Sequence, residues 1–231
     1  EEYDKMYAEC KRTLYSAGYH IYTSIDPDVQ SQLQSSVNNA LTGYTEKDKN
    51  GIYKAQASGT CIDNDTGKVV AIVGGREQKN IGYTLNRAYQ SPRQPGSAIK
   101  PLLVFAPALE HGWSAGSTVN DSPMSTKDKH RVRNANGSYA GQITLRRAVE
   151  KSSNVVTMRL YEQLSPKTCL KYLEQMNFKY LTNSDYKYYT TCIGGFTKGT
   201  TSEEMAAGYA TLKNDGVYRE PTCITKITTS D

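Results

Sequence analysis

Apolar and polar positions in the first part of the chain predict a strand followed by a helix. Residues 18–25 alternate as a half-exposed strand does. Asp26 and Pro27 then supply an N-cap and a first-turn proline. The apolar positions that follow recur at helical spacing, at Val29, Leu33, Val37 and Leu41.

Two short apolar runs further along predict a hairpin. Residues 55–61 and 68–73 are strand-like, and the turn residues Asp, Asn, Thr and Gly fill most of the gap between them. The chain then reaches a helix that begins at Ser97. Pro101 cannot donate to the Ser97 carbonyl, so the first bond of this helix is expected to be missing. Pro107 is expected to kink or divide the helix.

Helical spacing dominates the second half of the chain, after a long polar segment. Residues 112–141 are rich in Gly, Ser, Asn and Asp, and a loop of this length is expected to be functional or mobile. A break is expected at 152–154, and residues 218–227 alternate weakly like a last strand. The predicted helices begin at Thr144, Val155, Ser165 and Thr201, the last of them with a capping box.

Composition indicates a globular protein with one large domain or two small ones, and one continuous domain with a helical insertion is the simplest account. The 231 residues are 37% hydrophobic and 22% charged. Net charge is only +5, and the densest basic patch, 127–133, is typical of a solvated loop, so no nucleic-acid partner is expected. Five widely spaced cysteines and three histidines argue against a metal site, and the odd cysteine count favours buried thiols.

The segment 93–101 carries the strongest chemical signal. Ser97, at the predicted helix N-terminus, and Lys100, one turn later, share a face, so the amine can reach the hydroxyl. A serine with its own base can perform acyl transfer without a histidine. Gly96 lets the backbone turn sharply before the serine, and the apolar run 102–106 would bury the helix. A capping serine beside a solvated lysine is the alternative for this pair.

The Ser-x-x-Lys pattern occurs a second time, at Ser184 and Lys187. This copy lies in a polar, tyrosine-rich stretch without an apolar period, which favours a solvated loop.

A Ser-x-Asn pattern could relay the proton and hold a substrate amide, and it also occurs twice. Ser36 and Asn38 lie inside the predicted amphipathic helix, where an exposed helix face is the better interpretation. Ser152 and Asn154 lie at the predicted helix break, where side chains can project into a cleft. The alternative there is an ordinary turn capped by its own serine.

With these residues in view, the chain resembles the transpeptidase domain of class A penicillin-binding proteins, a group that combines Ser-x-x-Lys with a Ser-x-Asn-type and a Lys-Thr-Gly motif. The similarity runs from about residue 18 to residue 227 in the family's order. The segments that carry it are 21–27, 65–75, 86–88, 93–97, 194–195, 204–206, 209–210 and 214–218.

The resemblance implies an α+β fold, the penicillin-binding and serine β-lactamase-like transpeptidase fold, with an antiparallel sheet and a helical subdomain. Residues 1–17 are then a lead-in from a longer chain, and residues 18–231 are a partial transpeptidase domain that lacks its C-terminal strands. The parent protein is expected to be anchored in the membrane, with this domain on the extracytoplasmic face of the bacterial cell membrane. No cofactor and no metal are expected.

The resemblance also implies cross-linking of peptidoglycan stem peptides through an acyl-enzyme. Ser97 would attack the carbonyl between two terminal D-alanines, and Lys100, neutral through burial and nearby positive charge, would take its proton. Ser152 would pass the proton to the departing D-alanine, and Asn154 would hold the peptide amide. The Ser97 backbone N–H would be one oxyanion donor. A neighbouring stem peptide's amine would resolve the acyl-enzyme, and β-lactam antibiotics would acylate Ser97 in the same way.

Two departures from the family's pattern matter. Ala98 and Ile99 stand where Ser-Phe or Thr-Phe is frequent, which is a mild change. Neither Lys-Thr-Gly nor Lys-Ser-Gly occurs in the 231 residues, and Lys198-Gly199-Thr200 has the wrong order and is interpreted as a loop. The chain is expected to stop before this motif, and a C-terminal fragment could complete the sheet. The missing strand would supply a second oxyanion donor, worth about a hundredfold to a thousandfold in rate.

The leading interpretation is therefore an enzyme, a serine-type D,D-transpeptidase segment that is incomplete without the Lys-Thr-Gly strand. The alternative is a module that senses β-lactams or binds penicillin without catalysis. A degenerate structural domain is a third hypothesis, which the intact Ser-x-x-Lys and Ser-x-Asn motifs disfavour.

Overall fold

The computed structural model describes residues 2–77, 84–126 and 129–229. The basic patch predicted as a loop at 127–133 lies partly outside these ranges. The first helix is α1 (Glu2–Ser16), in which no residue is buried. Within the described ranges, no helix combines the length and the apolar character that crossing a membrane requires.

The strand, helix and hairpin predicted for the first part of the chain are confirmed. The Asp26 carboxylate caps α2 by accepting from the N–H groups of the second and third helical residues at 2.9 and 3.1 Å. The elements are β1 (His20–Thr23), α2 (Pro27–Ala40), β2 (Gly59–Ile62) and β3 (Val69–Val73).

Strands of the described ranges form four antiparallel pairs, which confirms the antiparallel strand arrangement expected from the sequence. β2 pairs with β3, and β1 pairs with the last strand, β8. β4 pairs with β7, and β5 pairs with β6. The bounds are β4 (Thr118–Asp121), β5 (Met124–Ser125), β6 (Arg131–Val132), β7 (Gly141–Thr144) and β8 (Ile224–Thr228).

The structure adds strands to the polar segment 112–141 and shortens the predicted last strand. The polar segment 112–141 contains β4, β5, β6 and the start of β7, so it is not a structureless loop. Runs of two to four residues are too short to show a period in the sequence. The last strand begins at Ile224, later than the predicted start at 218, because pairing with β1 decides where it begins.

The helices of the second half begin at side-chain caps. Thr144, Ser153 and Ser165 each accept from a backbone N–H in the first turn of the helix that they precede. Thr201 forms the predicted capping box with Glu204. The helices are α3 (Arg87–Gln90), α4 (Ala106–Glu110), α5 (Leu145–Glu150), α6 (Asn154–Leu164), α7 (Pro166–Gln175) and α8 (Ser202–Lys213).

Three tighter or wider turns complete the helical part. They are a 3₁₀ turn that carries the first motif, here named the serine turn (Gly96–Ile99), a π-helical turn (Pro101–Phe105) that continues it, and a second 3₁₀ turn (Tyr189–Ile193).

The hydrophobic core lies between the π-helical turn and helices α6 and α7. Leu102 and Leu103 of the turn have no exposed surface, nor do Val155, Leu160, Leu170 and Leu173 of the two helices. Burying apolar area contributes about 25 cal/mol per Å², so this contact fixes the turn against both helices. It also carries Lys100, at the junction of the two turns, into the interior.

Candidate active site

The serine turn is tight because of the residues on either side of Ser97. Gly96 has φ +55°, a conformation in which glycine is favoured, as predicted from the sequence. Pro101 has no N–H to donate to the Ser97 carbonyl, and the Lys100 N–H donates to this carbonyl instead. The expected gap in the bonding is therefore closed by a 3₁₀ bond, which tightens the turn that carries the serine.

Gly194 packs directly against the backbone that precedes Ser97. Its φ is +94°, and a Cβ at this position would lie 2.2 Å from the carbonyl oxygen of Gly96. Real Cβ atoms do not approach a backbone oxygen so closely, so only glycine fits here. The course of the backbone into Ser97 thus depends on a residue almost a hundred positions away in the sequence.

The same distant loop holds the two residues that lead into the serine turn. Arg93 and Thr200 exchange two backbone hydrogen bonds of 2.8 Å. The Gln94 side chain accepts from the Phe196 N–H at 2.7 Å and donates to the Phe196 carbonyl at 2.6 Å. These four bonds fix the direction from which the chain enters the turn.

The Lys100 amine lies against the Ser-x-Asn motif. Its Nζ donates to the Ser152 carbonyl at 2.7 Å, to the Ser152 hydroxyl at 3.0 Å and to Asn154 Oδ1 at 2.6 Å. An ammonium has three N–H donors, and these acceptors take all of them. The structure therefore brings three of the four predicted residues into direct contact.

Ser97 itself is exposed, while Lys100 is only 1% exposed. All three hydrogen bonds of Lys100 go to residues 152–154, here named the Ser-x-Asn turn. Within the described part of the chain, Lys100 therefore makes no hydrogen bond to the Ser97 hydroxyl. The serine stands at the surface end of the same turn. In free enzymes such nucleophile–base contacts are often long and shorten when substrate binds.

Burial lowers the pKa of Lys100 from its ordinary value near 10.5 to about 8, because removal from water disfavours the ammonium. Cys192, a buried free thiol in the second 3₁₀ turn, acts in the opposite direction and raises this pKa. The positive charge expected beside Lys100 has no counterpart among the described residues, so burial alone does the lowering. A pKa of about 8 leaves a useful fraction of neutral amine near neutral pH.

Ser152 occupies a left-handed position just after α5, with φ +49°. The N–H groups of Ser152 and Ser153 bond back to the carbonyls of Val149 and Ala148 at 3.0 and 2.9 Å, the pattern of a Schellman C-cap. Glycine is the usual residue at this position, because a side chain costs about 1–2 kcal/mol there. The turn aims both the carbonyl and the hydroxyl of Ser152 at Lys100.

The arrangement is suited to moving a proton. A neutral Lys100 amine can accept the proton of an approaching Ser97 hydroxyl, and the Ser152 hydroxyl accepts from Lys100 while keeping its own proton to donate. The Ser97 N–H, in the first turn of a helical segment, has no partner within that segment and can donate to an oxyanion. In the described ranges, no group of three His, Cys, Asp or Glu side chains could hold a metal ion.

The second copies of both motifs lie away from this cluster. Lys187 is exposed and Ser184 is half-buried in a turn. Ser36 is exposed on α2, where Asn38 is half-buried. Lys198 is an exposed loop residue before α8, as expected.

Sequence reasoning missed Asp185, which lies inside the second Ser-x-x-Lys copy. This carboxylate is 1% exposed and accepts from the N–H and hydroxyl of Thr182 at 2.7 and 2.9 Å. It also accepts from the N–H and hydroxyl of Thr197 at 2.6 and 2.9 Å. The Thr-x-x-Asp spacing indicates the first pair of bonds, but no sequence signal indicates the second pair.

It also missed Asp121 and Asn134, which lie in the polar segment 112–141. The structure places both side chains against Ser153 and the start of α6. By its length alone the sequence marks this segment as functional or mobile, and it singles out no residue in it.

Residues 57–231 match the family model for the penicillin binding protein transpeptidase domain. This span includes the serine turn, the Ser-x-Asn turn and the loop that packs on Gly96.

The chain is also similar to curated penicillin-binding proteins. It is 35% identical over 217 residues to penicillin-binding protein 4 of Bacillus subtilis (strain 168), which covers 94% of this chain and 33% of the relative. It is 34% identical over 247 residues to penicillin-binding protein 1A of Clostridium perfringens (strain 13 / Type A), which covers 98% of this chain and 36% of the relative. The chain thus spans about a third of the length of these relatives.

Two solved structures share its fold. The structure of the PonA1 protein from Mycobacterium tuberculosis in complex with penicillin V matches with a TM-score of 0.78 and 24% identity, over 95% of this chain and 58% of that one. Penicillin-binding protein 1A from Haemophilus influenzae matches with a TM-score of 0.78 and 20% identity, over 99% of this chain and 48% of that one. The fold is therefore the penicillin-binding fold, an α+β arrangement with small antiparallel sheets.

Proposed function

We propose a function from the premise that this chain belongs to the penicillin-binding protein transpeptidase family. It is part of a serine-type D,D-transpeptidase that cross-links peptidoglycan stem peptides and that β-lactam antibiotics acylate. Residues 18–231 form part of the transpeptidase domain, and residues 1–17 lead into it. The domain works on the extracytoplasmic face of the bacterial cell membrane, in a membrane-anchored parent protein.

In the acylation step, the Ser97 hydroxyl oxygen bonds to the carbonyl carbon between two terminal D-alanines. Its proton passes to the neutral amine of Lys100, and the Ser97 N–H donates to the oxyanion. When the carbon–nitrogen bond breaks, the Ser152 hydroxyl gives its proton to the departing D-alanine nitrogen and regains one from Lys100. Asn154 keeps the lysine in place and offers its remaining N–H to the peptide.

An amine of a neighbouring stem peptide then attacks the ester, and Ser97 recovers its proton as the new peptide bond forms. A β-lactam follows the first half of this path. Its amide bond opens on Ser97, but the leaving nitrogen stays tethered, so the acyl-enzyme persists.

One observation carries the proposal. Lys100 is buried, has its pKa lowered to about 8 by burial, and bonds to both residues of the Ser-x-Asn motif one turn away from an exposed serine. This combination unites a base, a proton relay and an accessible nucleophile.

A substrate groove needs a second wall beside the one formed by the serine turn and the Ser-x-Asn motif. We place the strand that forms this second wall outside the 231 residues. No Lys-Thr-Gly or Lys-Ser-Gly occurs in the sequence, and the chain spans only 33% of one relative. A strand with that motif would add the second oxyanion donor, and its loss typically costs about a hundredfold to a thousandfold in rate.

A fluorescent penicillin tests the acylation step. This chain and a version extended at the C-terminus to its Lys-Thr-Gly strand are incubated with the probe, and the labelled residue is mapped by mass spectrometry. Ser97→Ala is the active-site variant, and Ser184→Ala, in the second Ser-x-x-Lys copy, is the matched control.

We expect the extended protein to be labelled at Ser97, the control to be labelled equally, and the Ser97 variant to stay unlabelled. An extended protein without label at Ser97 would refute the acylation mechanism. Equal labelling of the short and extended chains would refute the role given to the Lys-Thr-Gly strand. Turnover of a peptide ending in D-Ala-D-Ala with an added amine then separates a transpeptidase from a β-lactam sensor, which would be labelled but would form no new peptide bond.

A further inference from the structure

Asn134 caps the helix that begins with Asn154. Its Oδ1 accepts from the N–H groups of Asn154 and Val155 at 2.9 and 3.3 Å, the first two donors of α6. The hydroxyl of Ser153, the N-cap residue of the helix itself, accepts from the next N–H along the helix, that of Val156, at 3.1 Å. The cap is therefore shared between a local residue and one that is 20 positions away.

Arg133, the residue before Asn134, holds the side chain of Asn154. Asn154 Nδ2 donates to the Arg133 carbonyl at 2.9 Å, while Asn154 Oδ1 accepts from Lys100 at 2.6 Å. A carbonyl only accepts and an ammonium only donates, so the Asn154 amide has one favourable orientation. Residues 133–134 thus hold Asn154 by its backbone and by its side chain together.

A buried carboxylate orients Asn134 in turn. Asp121 is 4% exposed and accepts from Asn134 Nδ2 at 2.8 Å, from the Ser153 hydroxyl at 3.1 Å and from the Ala140 N–H at 3.0 Å. Because a carboxylate only accepts, the NH₂ of Asn134 must face it. The amide oxygen of Asn134 is then left to face the N-terminus of α6, where the helix dipole also favours the negative charge of Asp121.

We propose that Asn134, oriented by Asp121, is a positioning residue that sets Asn154 against the Lys100 amine. Within the described residues its side chain makes no hydrogen bond to Ser97, and it acts through Asn154. This role rests on the proposed function where it concerns acylation, and it deepens that function by adding a set of bonds from the polar segment 112–141 to the site.

A structural cap would contribute stability only, whereas a positioning residue also changes the environment of Lys100. If Asn154 loses its support, Lys100 loses an acceptor that favours the charged amine, and its titration midpoint falls. The groups that face Lys100 are Cys192 from the second 3₁₀ turn and, on the other side, the uncharged Ser152 and Asn154. The Asp121 carboxylate contacts Asn134 by a hydrogen bond of 2.8 Å.

The test compares Asn134→Ala with Asn136→Ala. Asn136 is a residue of the same type in the same loop, and its side chain accepts from the Ser138 N–H at 3.1 Å and from no other group in the described part of the chain. Acylation by fluorescent penicillin is timed in the extended protein. Titration of Lys100 is followed by NMR with a ¹³C label at Cε, assigned by comparison with Lys100→Met. Thermal unfolding is recorded for each variant.

We expect acylation of Asn134→Ala to be about tenfold to a hundredfold slower, the usual effect of a misplaced catalytic group, and the Lys100 midpoint to fall. Asn136→Ala should leave both within about twofold of the parent. If Asn134→Ala does not fold, Asp121→Asn carries the test, since it is isosteric but adds a donor that opposes the Ala140 N–H; it should move both readouts in the same direction.

A lower melting temperature with unchanged acylation and an unchanged Lys100 midpoint would overturn the positioning role and leave a structural cap. If the parent protein itself takes no label, the proposed function fails. The positioning role is then decided by the titration alone: a midpoint that falls in Asn134→Ala and not in Asn136→Ala supports it, and equal midpoints overturn it.

Discussion

Glycine at position 152 should be more stable than alanine there, while either replacement should disable the protein. Ser152 has φ +49° at the left-handed position of a Schellman cap. A non-glycine residue there costs about 1–2 kcal/mol. The greater freedom of glycine in the unfolded chain offsets about 0.5–1 kcal/mol of that gain. The midpoints of these two ranges leave glycine a net advantage of about 0.75 kcal/mol over alanine at position 152.

The comparison with alanine isolates the backbone term. Both variants lose the 3.0 Å hydrogen bond from Lys100 to the Ser152 hydroxyl, so its loss cancels between them. For a domain of this size each kcal/mol shifts the melting temperature by about 2–4 °C, so we expect Ser152→Gly to melt about 1–4 °C above Ser152→Ala. Acylation of the extended protein should fall about a hundredfold or more in both, since neither has a hydroxyl to relay the proton.

Lys151 provides the matched control, because it precedes Ser152 and has an ordinary helical φ of −88°. There alanine should be more stable than glycine by about 0.5–1 kcal/mol. The measurement is the free energy of unfolding, from urea titration, of the alanine and glycine variants at positions 151 and 152. The strain argument is refuted if Ser152→Ala is at least as stable as Ser152→Gly. It is also refuted if glycine is the more stable residue at position 151 as well.

Three further outcomes follow from Lys100 and Gly194. Acylation should rise with pH to a half-maximum near 8, because Lys100 acts as a base only when neutral, and a midpoint near 10.5 in a rate–pH profile would contradict this. The pKa of Lys100 is lower in the folded protein than in the unfolded chain, so the unfolded chain binds more protons between pH 8 and about 10. The contribution of Lys100 to stability therefore increases as the pH rises through this window. Lys100→Met should lack that rise in urea midpoints measured at both ends, and a constant difference from the parent would contradict burial as the cause. Gly194→Ala should lower stability more than Gly112→Ala, since both glycines have φ above +90° but an added Cβ would lie 2.2 Å from the Gly96 oxygen at position 194 and in open space at position 112. Equal losses of stability in urea titration would contradict the steric argument.

The parts of the fold predicted well are those that depend on residues within one turn of each other. Asp26 caps α2, and Thr201 and Glu204 form a capping box, because each bond joins groups two or three positions apart. The break between α5 and α6 was predicted for the same reason. The long-range pairing of strands was not predicted, because the partner of β1 is β8, some 200 residues later. Nothing local specifies where such a pair begins.

The candidate site divides in the same way. The sequence by itself determined which side chains are present and in what spacing: a serine and a lysine on one turn, a glycine that allows the turn, and a Ser-x-Asn at a helix break. The sequence context already favoured one copy of each motif, but only the tertiary structure brings Lys100 against Ser152 and Asn154 across 52 to 54 positions. It also decided the lowered pKa of Lys100, since that shift comes from burial in a core assembled from distant helices. Spacing is encoded locally, but burial and long-range hydrogen bonds exist only once the chain has folded.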